Sequence, residues 1–363
     1  MTSKYSQIIL FSLLITGIQL LTHFTDRGYY LTQLTMTAYY SLLVIGLCML
    51  IGYAGQISLG HAGFFAIGGY ISAFMTTHDF SAVKGDVIAE FLQKVGIMIR
   101  RPDLYGGDLL VFHPWSACIV AVCTALAIAA LIGGPVLKLR GHYLAMATLG
   151  FGIIIYRIVL GTSQLGSADG ITDVPAFVLA GDIAVSGKSS VRIVNYYIAW
   201  GTVIAGMTLL INLIHSRVGR ALTAIHGAGD AAEAMGIPTA AYKLRVFVLS
   251  AGYAALAGVL LTHYNGGIGP SEASVMKSVR YVAIVAIGGM ANLWGALIMS
   301  LLLNYLSLRG SFGTFDDAVF GGILILIMLF APDGLLRKRL LSNMKSLLGR
   351  PASEGKSDDA SFG

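Results

Sequence analysis

Three hydrogen-bonding side chains stand inside an otherwise apolar stretch in the first fifth of the chain. Gln56, Ser58 and His61 lie in GYAGQISLGHAGFF, residues 52–65. Amide, hydroxyl and imidazole groups exchange hydrogen bonds with small polar molecules. Within a membrane such groups need partners, and they often line the path of a polar solute. Helix packing is the alternative, because small residues recur every four positions from Ser58 onwards.

Catalytic and metal-binding constellations are missing around these residues. The sequence contains no His-Glu-x-x-His, no Gly-x-Ser-x-Gly and no paired-cysteine metal pattern. Gly187-Lys188-Ser189 approaches a phosphate-loop motif, but Asp182 stands where that motif requires glycine. No basic cluster interleaves with aromatic residues in the manner of nucleic-acid binders. We therefore expect no enzyme active site, no ATPase site, no bound metal or cofactor, and no nucleic-acid partner.

The elements that must position the polar side chains are apolar runs of membrane-spanning length. Of the 363 residues, 56% are hydrophobic and 12% are charged, whereas soluble domains carry roughly 25% charged residues. About 20 apolar residues in a helix match the hydrocarbon core of a bilayer. Candidate membrane segments are residues 7–22, 33–52, 57–77, 116–137, 142–161, 195–214, 243–263, 280–308 and 317–331.

The distribution of Lys and Arg predicts the orientation of these segments. Basic residues collect after the fourth segment, around 217–245 and after the last segment, and the positive-inside rule places all three regions in the cytoplasm. The stretch 280–308 must then begin and end on the outer side, yet it is short for two complete crossings. Glycines near its middle, Gly288 and Gly289 among them, predict two short broken helices or a re-entrant hairpin beside the solute path. One long tilted helix is the alternative.

These segments together predict an all-α integral membrane protein, a polytopic helical bundle. We expect about eight full spans plus the broken or re-entrant pair, about ten membrane segments in all. Residues 1–340 would form one transmembrane domain, with 78–115 as an extracytoplasmic insertion and 341–363 as a disordered cytoplasmic tail. Within the insertion, Asp86 would cap a helix that continues through Arg100 and Arg101 to Pro102.

The cytoplasmic loop 215–242 is longer than a turn between two spans requires. Its stretch from Asp230 to Met235 predicts a short helix ended by Gly236 and Pro238. A short amphipathic helix on such a loop is typical of segments that insert into a groove of a soluble partner. An ordinary connector is the alternative.

Several long stretches, taken in order, resemble the LivH/LivM permease family of branched-chain amino-acid ABC importers, and the LivM type in particular. The matching stretches are GYAGQISLGHAGFFAIGGY (52–70), KLRGHYLAMATLGFG (138–152), VGRALTAIHGAGDAAEAMGIPTAAYKLRVFVLSAGYAALAGVL (218–260), VAIVAIGGMANLWGALIM (282–299) and APDGLL (331–336). The resemblance covers residues 31–78 and 116–340. One departure is SQLGSADG at 163–170, where family members often carry Thr-Gly-Gly.

The resemblance implies a multi-pass protein of the bacterial inner membrane. Two permease subunits, the second of the LivH type or another copy of this chain, would form the pore. Two cytoplasmic ATPase subunits would bind the ATP, and a periplasmic solute-binding protein would deliver the solute. The residues that match the family's coupling region are Arg220, Asp230, Glu233, Ala234 and Gly236.

The expected function is therefore import of leucine, isoleucine and valine by a permease subunit that hydrolyses no ATP itself. The same architecture importing urea or short amides is one alternative. A secondary transporter is another, although Asp and Glu are nearly absent from the predicted spans.

Overall fold

The computed structural model describes residues 2–25, 27–81, 87–102, 108–139, 141–181, 183–310 and 313–330. Asp86, Arg140 and the predicted tail 341–363 lie outside these residues. The described helices are α1 (Thr2–Phe24), α2 (Tyr29–Ala54), α3 (His61–Thr77), α4 (Val87–Lys94), α5 (Pro114–Val136), α6 (His142–Gly161), α7 (Arg192–Ile214), α8 (Arg217–Gly227), α9 (Gly229–Ala234), α10 (Thr239–Asn265), α11 (Val275–Gly288), α12 (Leu293–Leu308) and α13 (Asp316–Phe330). The strands are β1 (Met98–Pro102), β2 (Asp108–Phe112), β3 (Phe177–Ala180) and β4 (Ile183–Val185).

Every predicted apolar run overlaps a helix of this bundle. Within the described residues, six helices are long and apolar enough to cross a membrane: α1, α2, α5, α6, α7 and α10. The most apolar part of α2 is 94% buried inside the protein, whereas that of α1 is only 17% buried. Helix α2 is therefore central, and α1 is peripheral.

Helices α3 and α10 pack closely through small residues at the centre of the bundle. A Cβ atom placed on Gly68 of α3 would lie 2.2 Å from the carbonyl oxygen of Ala255. One placed on Gly258 of α10 would lie 2.0 Å from the carbonyl oxygen of Phe65. Glycine at these two positions lets the helix backbones approach, which is how helices associate in lipid, where apolar burial alone gives little driving force.

The stretch 280–308 is broken as predicted. Helices α11 and α12 are separate, and Gly289 between them has φ +97°. Arg280 near the start of α11 donates to the hydroxyl of Ser307 near the end of α12 over 3.0 Å. The two helices therefore run antiparallel, and the stretch begins and ends on the same side of the bundle.

The bundle has two ends that differ in structure. At one end, which we call the inner end, α8 and α9 lie beside the end of α2 and the start of α10. At the other, the outer end, lie the hairpins β1–β2 and β3–β4, each antiparallel. The predicted short helix at 230–235 is confirmed as α9, and Gly236 with φ +82° follows it. Helix α8 was not predicted; Ser216 caps it by accepting a hydrogen bond from the Val218 amide over 3.1 Å.

Two predicted boundaries are wrong. The run 57–77 begins as a helix only at His61, because Gly55 ends α2 in the left-handed conformation with φ +66° and an irregular linker, residues 55–60, follows. The helix of the insertion ends at Lys94, so Arg100 and Arg101 lie on strand β1. Gly96, with φ +80°, stops that helix, and the Ile97 amide donates back to the carbonyl of Leu92 over 2.9 Å.

Candidate functional site

Ser58 and His61 form a hydrogen-bonded junction between the linker and α10. His61 is fully buried, and its Nδ1 lies 3.1 Å from the hydroxyl of Ser58. Its Nε2 lies 2.7 Å from the hydroxyl of Ser250 on α10. The neighbouring Leu59 amide donates to the hydroxyl of Thr148 on α6 over 3.0 Å. Side chains of α3 and α6 thus bond to polar groups of the non-helical linker, and α10 holds His61 from its other side.

Gln56 of the same linker has a different environment. It lines a cavity of about 280 Å³ at the inner end together with Leu144, Ile225, Asp230, Glu233 and Lys243. Its side-chain oxygen is buried and accepts no hydrogen bond from the described residues. The structure therefore brings one predicted pathway residue together with two predicted coupling residues, whereas Ser58 and His61 do not line this cavity.

The predicted coupling residues lie on an exposed surface at the inner end. Arg220, Asp230, Glu233, Ala234 and Gly236 are all exposed. Met235 beside them is 84% exposed, an unusual degree for a long apolar side chain. Glu233 accepts a weak hydrogen bond of 3.4 Å from the Thr239 hydroxyl. We call α8, α9 and residues 235–236 the inner-end surface.

The opposite face of α8 is packed against the bundle. Gly219, Leu222 and Ile225 are buried, three residues apart. A Cβ atom on Gly219 would lie 1.9 Å from the carbonyl oxygen of Ile214. His226 touches the linker, since a Cβ atom on Gly55 would lie 2.8 Å from its Nδ1. The inner-end surface therefore lies against the α2–α3 linker at His226.

Gly288 and Gly289 lie at the turn of the α11–α12 hairpin. A Cβ atom on Gly288 would lie 2.6 Å from the Ala296 backbone of α12. The turn also contacts the last turns of α2: Tyr53 donates to the carbonyl of Ala291 over 3.0 Å, and the thiol of Cys48 lies 3.6 Å from the carbonyl of Met290. These glycines set the spacing of the hairpin, and their place beside a solute path stays a prediction.

A second cavity, near the outer end, was missed by the sequence reasoning. It has a volume of about 220 Å³ and lies between α2, α11 and α12; its lining includes Tyr40, Lys277, Arg280, Tyr281, Asn304 and Ser307. A signal existed in the sequence: Arg280 begins the predicted segment 280–308, with Glu272 and Lys277 shortly before it, and ionisable residues within membrane segments often mark functional sites. We call this space the outer cavity.

No group of three or more His, Cys, Asp or Glu side chains able to hold a metal ion occurs among the described residues.

Comparison with known proteins gives the family. Residues 29–331 match the family model described as branched-chain amino acid transport system / permease component. The LivM permease protein of the high-affinity branched-chain amino acid transport system of Salmonella typhimurium is 29% identical over 322 residues, covering 83% of this chain and 68% of that protein. The LivH permease protein of Escherichia coli is 28% identical, covering 85% and 96%.

The BraD permease protein of Pseudomonas aeruginosa is 27% identical over the same share of this chain. No solved structure matches this chain. The matches and the apolar helices make the chain a multi-pass protein of the inner membrane. The chain belongs to the family of permease components of branched-chain amino acid transport systems.

Proposed function

We propose that this chain is a permease subunit of an ATP-binding-cassette importer that moves leucine, isoleucine and valine into the cell. A second permease subunit completes the pore, two separate ATPase subunits bind and hydrolyse ATP, and a periplasmic binding protein delivers the solute. The observation that carries this proposal is the inner-end surface, which is exposed on one side and packed onto the transmembrane helices on the other.

The membrane-embedded part extends beyond the six long helices. Helix α3 has 17 residues, α11 has 14, α12 has 16 and α13 has 15. At about 1.5 Å of rise per residue each is shorter than a 30 Å hydrocarbon core. Because α3 and the hairpin pack against the buried α2, we place them, with α13, inside the membrane, for about ten segments.

The inner-end surface would couple ATP hydrolysis to transport as follows. The exposed carboxylates of Asp230 and Glu233 and the exposed Met235 dock in a groove of an ATPase subunit. Closure of the ATPase pair then pushes α8, and His226 transmits the displacement to Gly55 in the α2–α3 linker. A rigid-body shift of packed helices is the usual form of such a transition.

The test is a charge reversal, Glu233→Lys, in the assembled transporter. Groups of the ATPase subunit that face the Glu233 carboxylate would repel a lysine at this position, which costs several kcal/mol of docking free energy. Each 1.4 kcal/mol lowers the affinity between the two subunits about tenfold. We expect leucine uptake into proteoliposomes to fall at least about tenfold, while binding-protein-stimulated ATP hydrolysis is no longer matched by transport. Membrane insertion and the thermal midpoint should not change.

Glu90→Lys is the matched control, since Glu90 is an exposed carboxylate on α4, at the outer end. It should leave uptake and ATP hydrolysis unchanged. Wild-type uptake by Glu233→Lys would remove the coupling assignment. Uptake by this chain alone on an ion gradient, with no ATPase subunit present, would overturn the importer proposal in favour of a secondary transporter.

A further inference from the structure

We infer that the outer cavity binds the charged head group of a zwitterionic amino acid, with Glu272 and Tyr281 receiving the ammonium group and Lys277 the carboxylate. The inference rests on the proposed function and narrows its solute class: the site selects solutes that carry both charges and excludes urea and neutral amides.

The groups that would bind the head group are already connected. Lys277 donates to Glu272 Oε1 over 3.1 Å and to the Tyr40 hydroxyl over 3.3 Å. The Tyr40 hydroxyl donates to the same carboxylate oxygen over 3.0 Å. Tyr40 and Lys277 line the outer cavity, and Glu272, which does not line it, is hydrogen-bonded to both.

Two polar atoms of this cluster have no hydrogen-bond partner among the described residues. They are Oε2 of Glu272 and the hydroxyl of Tyr281. Tyr281 is 1% exposed and lines the outer cavity. A buried polar atom without a partner costs about 1–3 kcal/mol, so such atoms are rare and call for an explanation. A ligand that donates hydrogen bonds to both, as an ammonium group does, supplies the partner.

The ion pair packs against a buried aromatic side chain. Tyr40 is 5% exposed, and the ammonium nitrogen of Lys277 lies 4.8 Å from the centroid of its ring. Charged groups among membrane helices are expensive and often mark a functional site.

An ion pair offers one charge of each sign, so it can bind the two opposite charges of a zwitterion. When a solute enters between Lys277 and Glu272, its carboxylate replaces Glu272 beside the lysine and its ammonium replaces Lys277 beside the glutamate. Neither protein charge is left without a counter-charge, so the large penalty for an unpaired buried charge is avoided. Urea and short amides carry no charge, and they would separate the pair without compensating it.

The size and the walls of the cavity fit a head group. At about 30 Å³ per water molecule, 220 Å³ corresponds to roughly seven waters. Arg280 on the same wall is held by Ser307 and by the Phe320 ring, whose centroid lies 4.3 Å from the guanidinium carbon. This fixed second positive charge favours the carboxylate end of the solute on the α11 side.

The experiment measures ligand-dependent stability of the purified full chain in nanodiscs. Reaction of the buried Cys48 thiol with a maleimide dye reports unfolding, on a Cys118→Ala, Cys123→Ser background that removes the two other thiols of the chain. Leucine should raise the thermal midpoint in a saturable way, since a ligand that binds only the folded state stabilises it. 4-Methylpentanoate, 3-methylbutylamine and urea, each lacking one or both charges, should not.

Three variants test the named groups. Glu272→Gln and Lys277→Met should raise the leucine concentration for a half-maximal shift by about 10- to 100-fold, the effect of one charge-assisted hydrogen bond. Tyr281→Phe should raise it by about two- to tenfold. Because that change removes a hydroxyl without a partner, its midpoint without ligand should stay the same or rise, so it remains informative if a charge variant folds poorly. Glu90→Gln is the control.

The inference is overturned if leucine does not stabilise the unsubstituted chain, if the three variants respond like Glu90→Gln, or if urea gives the same shift. Failure of the proposed function looks different. In that case the assembled transporter, with no substitution at the cavity, takes up no branched-chain amino acid in the presence of ATP and the binding protein.

Discussion

The contact between α11 and α12 allows a sharp test of the hairpin. Gly288→Ala adds one methyl group, and that group would lie 2.6 Å from three backbone atoms of Gly295 and Ala296. Real Cβ contacts are rarely shorter than 3.4 Å. Backbone atoms cannot turn away as a flexible side chain can, so the two helices must separate by roughly 0.8 Å.

The cost of this separation can be worked out from the packing. A gap of 0.5–1 Å forfeits roughly a quarter to a half of each dispersion contact that it opens. Inserting a methylene into a well-packed interface typically costs about 1–3 kcal/mol. Gly295→Ala should cost more, because its Cβ would lie 1.9 Å from the carbonyl oxygen of Gly288. We expect stability to decrease in the order unsubstituted chain, Gly288→Ala, Gly295→Ala.

The control is Gly201→Ala in α7. Gly201 has nothing within 4 Å of its built Cβ, so only backbone propensity changes, and alanine is favoured there by up to about 1 kcal/mol. The assay follows the Cys48 thiol on the Cys118→Ala, Cys123→Ser background. Because Cys48 contacts Met290 in the hairpin turn, its labelling rate reports separation of the hairpin from α2 as well as unfolding.

We expect Gly288→Ala to label faster at Cys48 and to unfold several degrees lower than Gly201→Ala, at one fixed scan rate because membrane proteins often unfold irreversibly. The larger Gly288→Leu should also abolish uptake. Equal labelling rates and midpoints for Gly288→Ala and Gly201→Ala would refute the close packing of the hairpin. Unchanged uptake in Gly288→Leu would show that the path does not depend on the break.

Two further predictions concern polar groups at opposite ends of α3. His61→Phe keeps a ring but leaves the Ser250 hydroxyl without its partner, which should cost about 1–3 kcal/mol, measured as a lower thermal midpoint; an unchanged midpoint would argue against the junction. The hydroxyl of Ser81 and, with a smaller effect, its amide donate hydrogen bonds to the Asp79 carboxylate. These bonds hold the pKa of Asp79 below its usual range. The charged form is therefore favoured in the folded chain. Its contribution to the stability of the fold is fully present above the ordinary aspartate pKa and is lost as the pH falls through the lowered pKa of Asp79. Protease cleavage within 78–115 should thus increase at acidic pH, and Asp79→Ala, which also removes the Leu110 hydrogen bond, should remove that pH dependence.

The apolar runs could be predicted from sequence because hydropathy over twenty residues depends on local composition alone. The break at Gly289 could also be predicted. The basic loops fix the sides of the neighbouring segments, so the stretch 280–308 must begin and end on the same, outer side. Both inferences use information that is local or additive along the chain.

The predicted helix start at residue 57 and the predicted helix end at Arg101 were wrong, because the observed boundaries, at His61 and Lys94, each depend on a single glycine. Gly55 and Gly96 adopt positive φ, and neither position looks different in composition from the glycines inside helices, such as Gly68. What distinguishes Gly68 is a carbonyl of another helix 2.2 Å from its built Cβ, and that contact lies far away in sequence.

The outer cavity was missed for the same reason. Tyr40 is separated from Lys277 by 237 residues, and only the packing of α11 on α2 brings them together. Gln56, Ser58 and His61 were predicted to act together because they stand close together in one motif, whereas the structure places Gln56 at the cavity of the inner end and buries the other two between helices. Proximity along the chain is a poor guide to which polar groups share a site in a helical bundle.

Helix α2 links the two cavities. Tyr40 contacts the outer cavity, and Gly55 at the end of α2 contacts His226 of the inner-end surface. These two residues are 15 positions apart, which corresponds to about 22 Å along the helix. The α11–α12 hairpin runs beside this part of α2, with Lys277 at one end and Met290 against Gly52 at the other. On the proposed function, a displacement of the linker would shift the buried α2 together with the hairpin packed against it. ATPase closure at the inner end would then change the solute affinity of the outer cavity, and linkage requires that a bound solute change the closure equilibrium by the same factor.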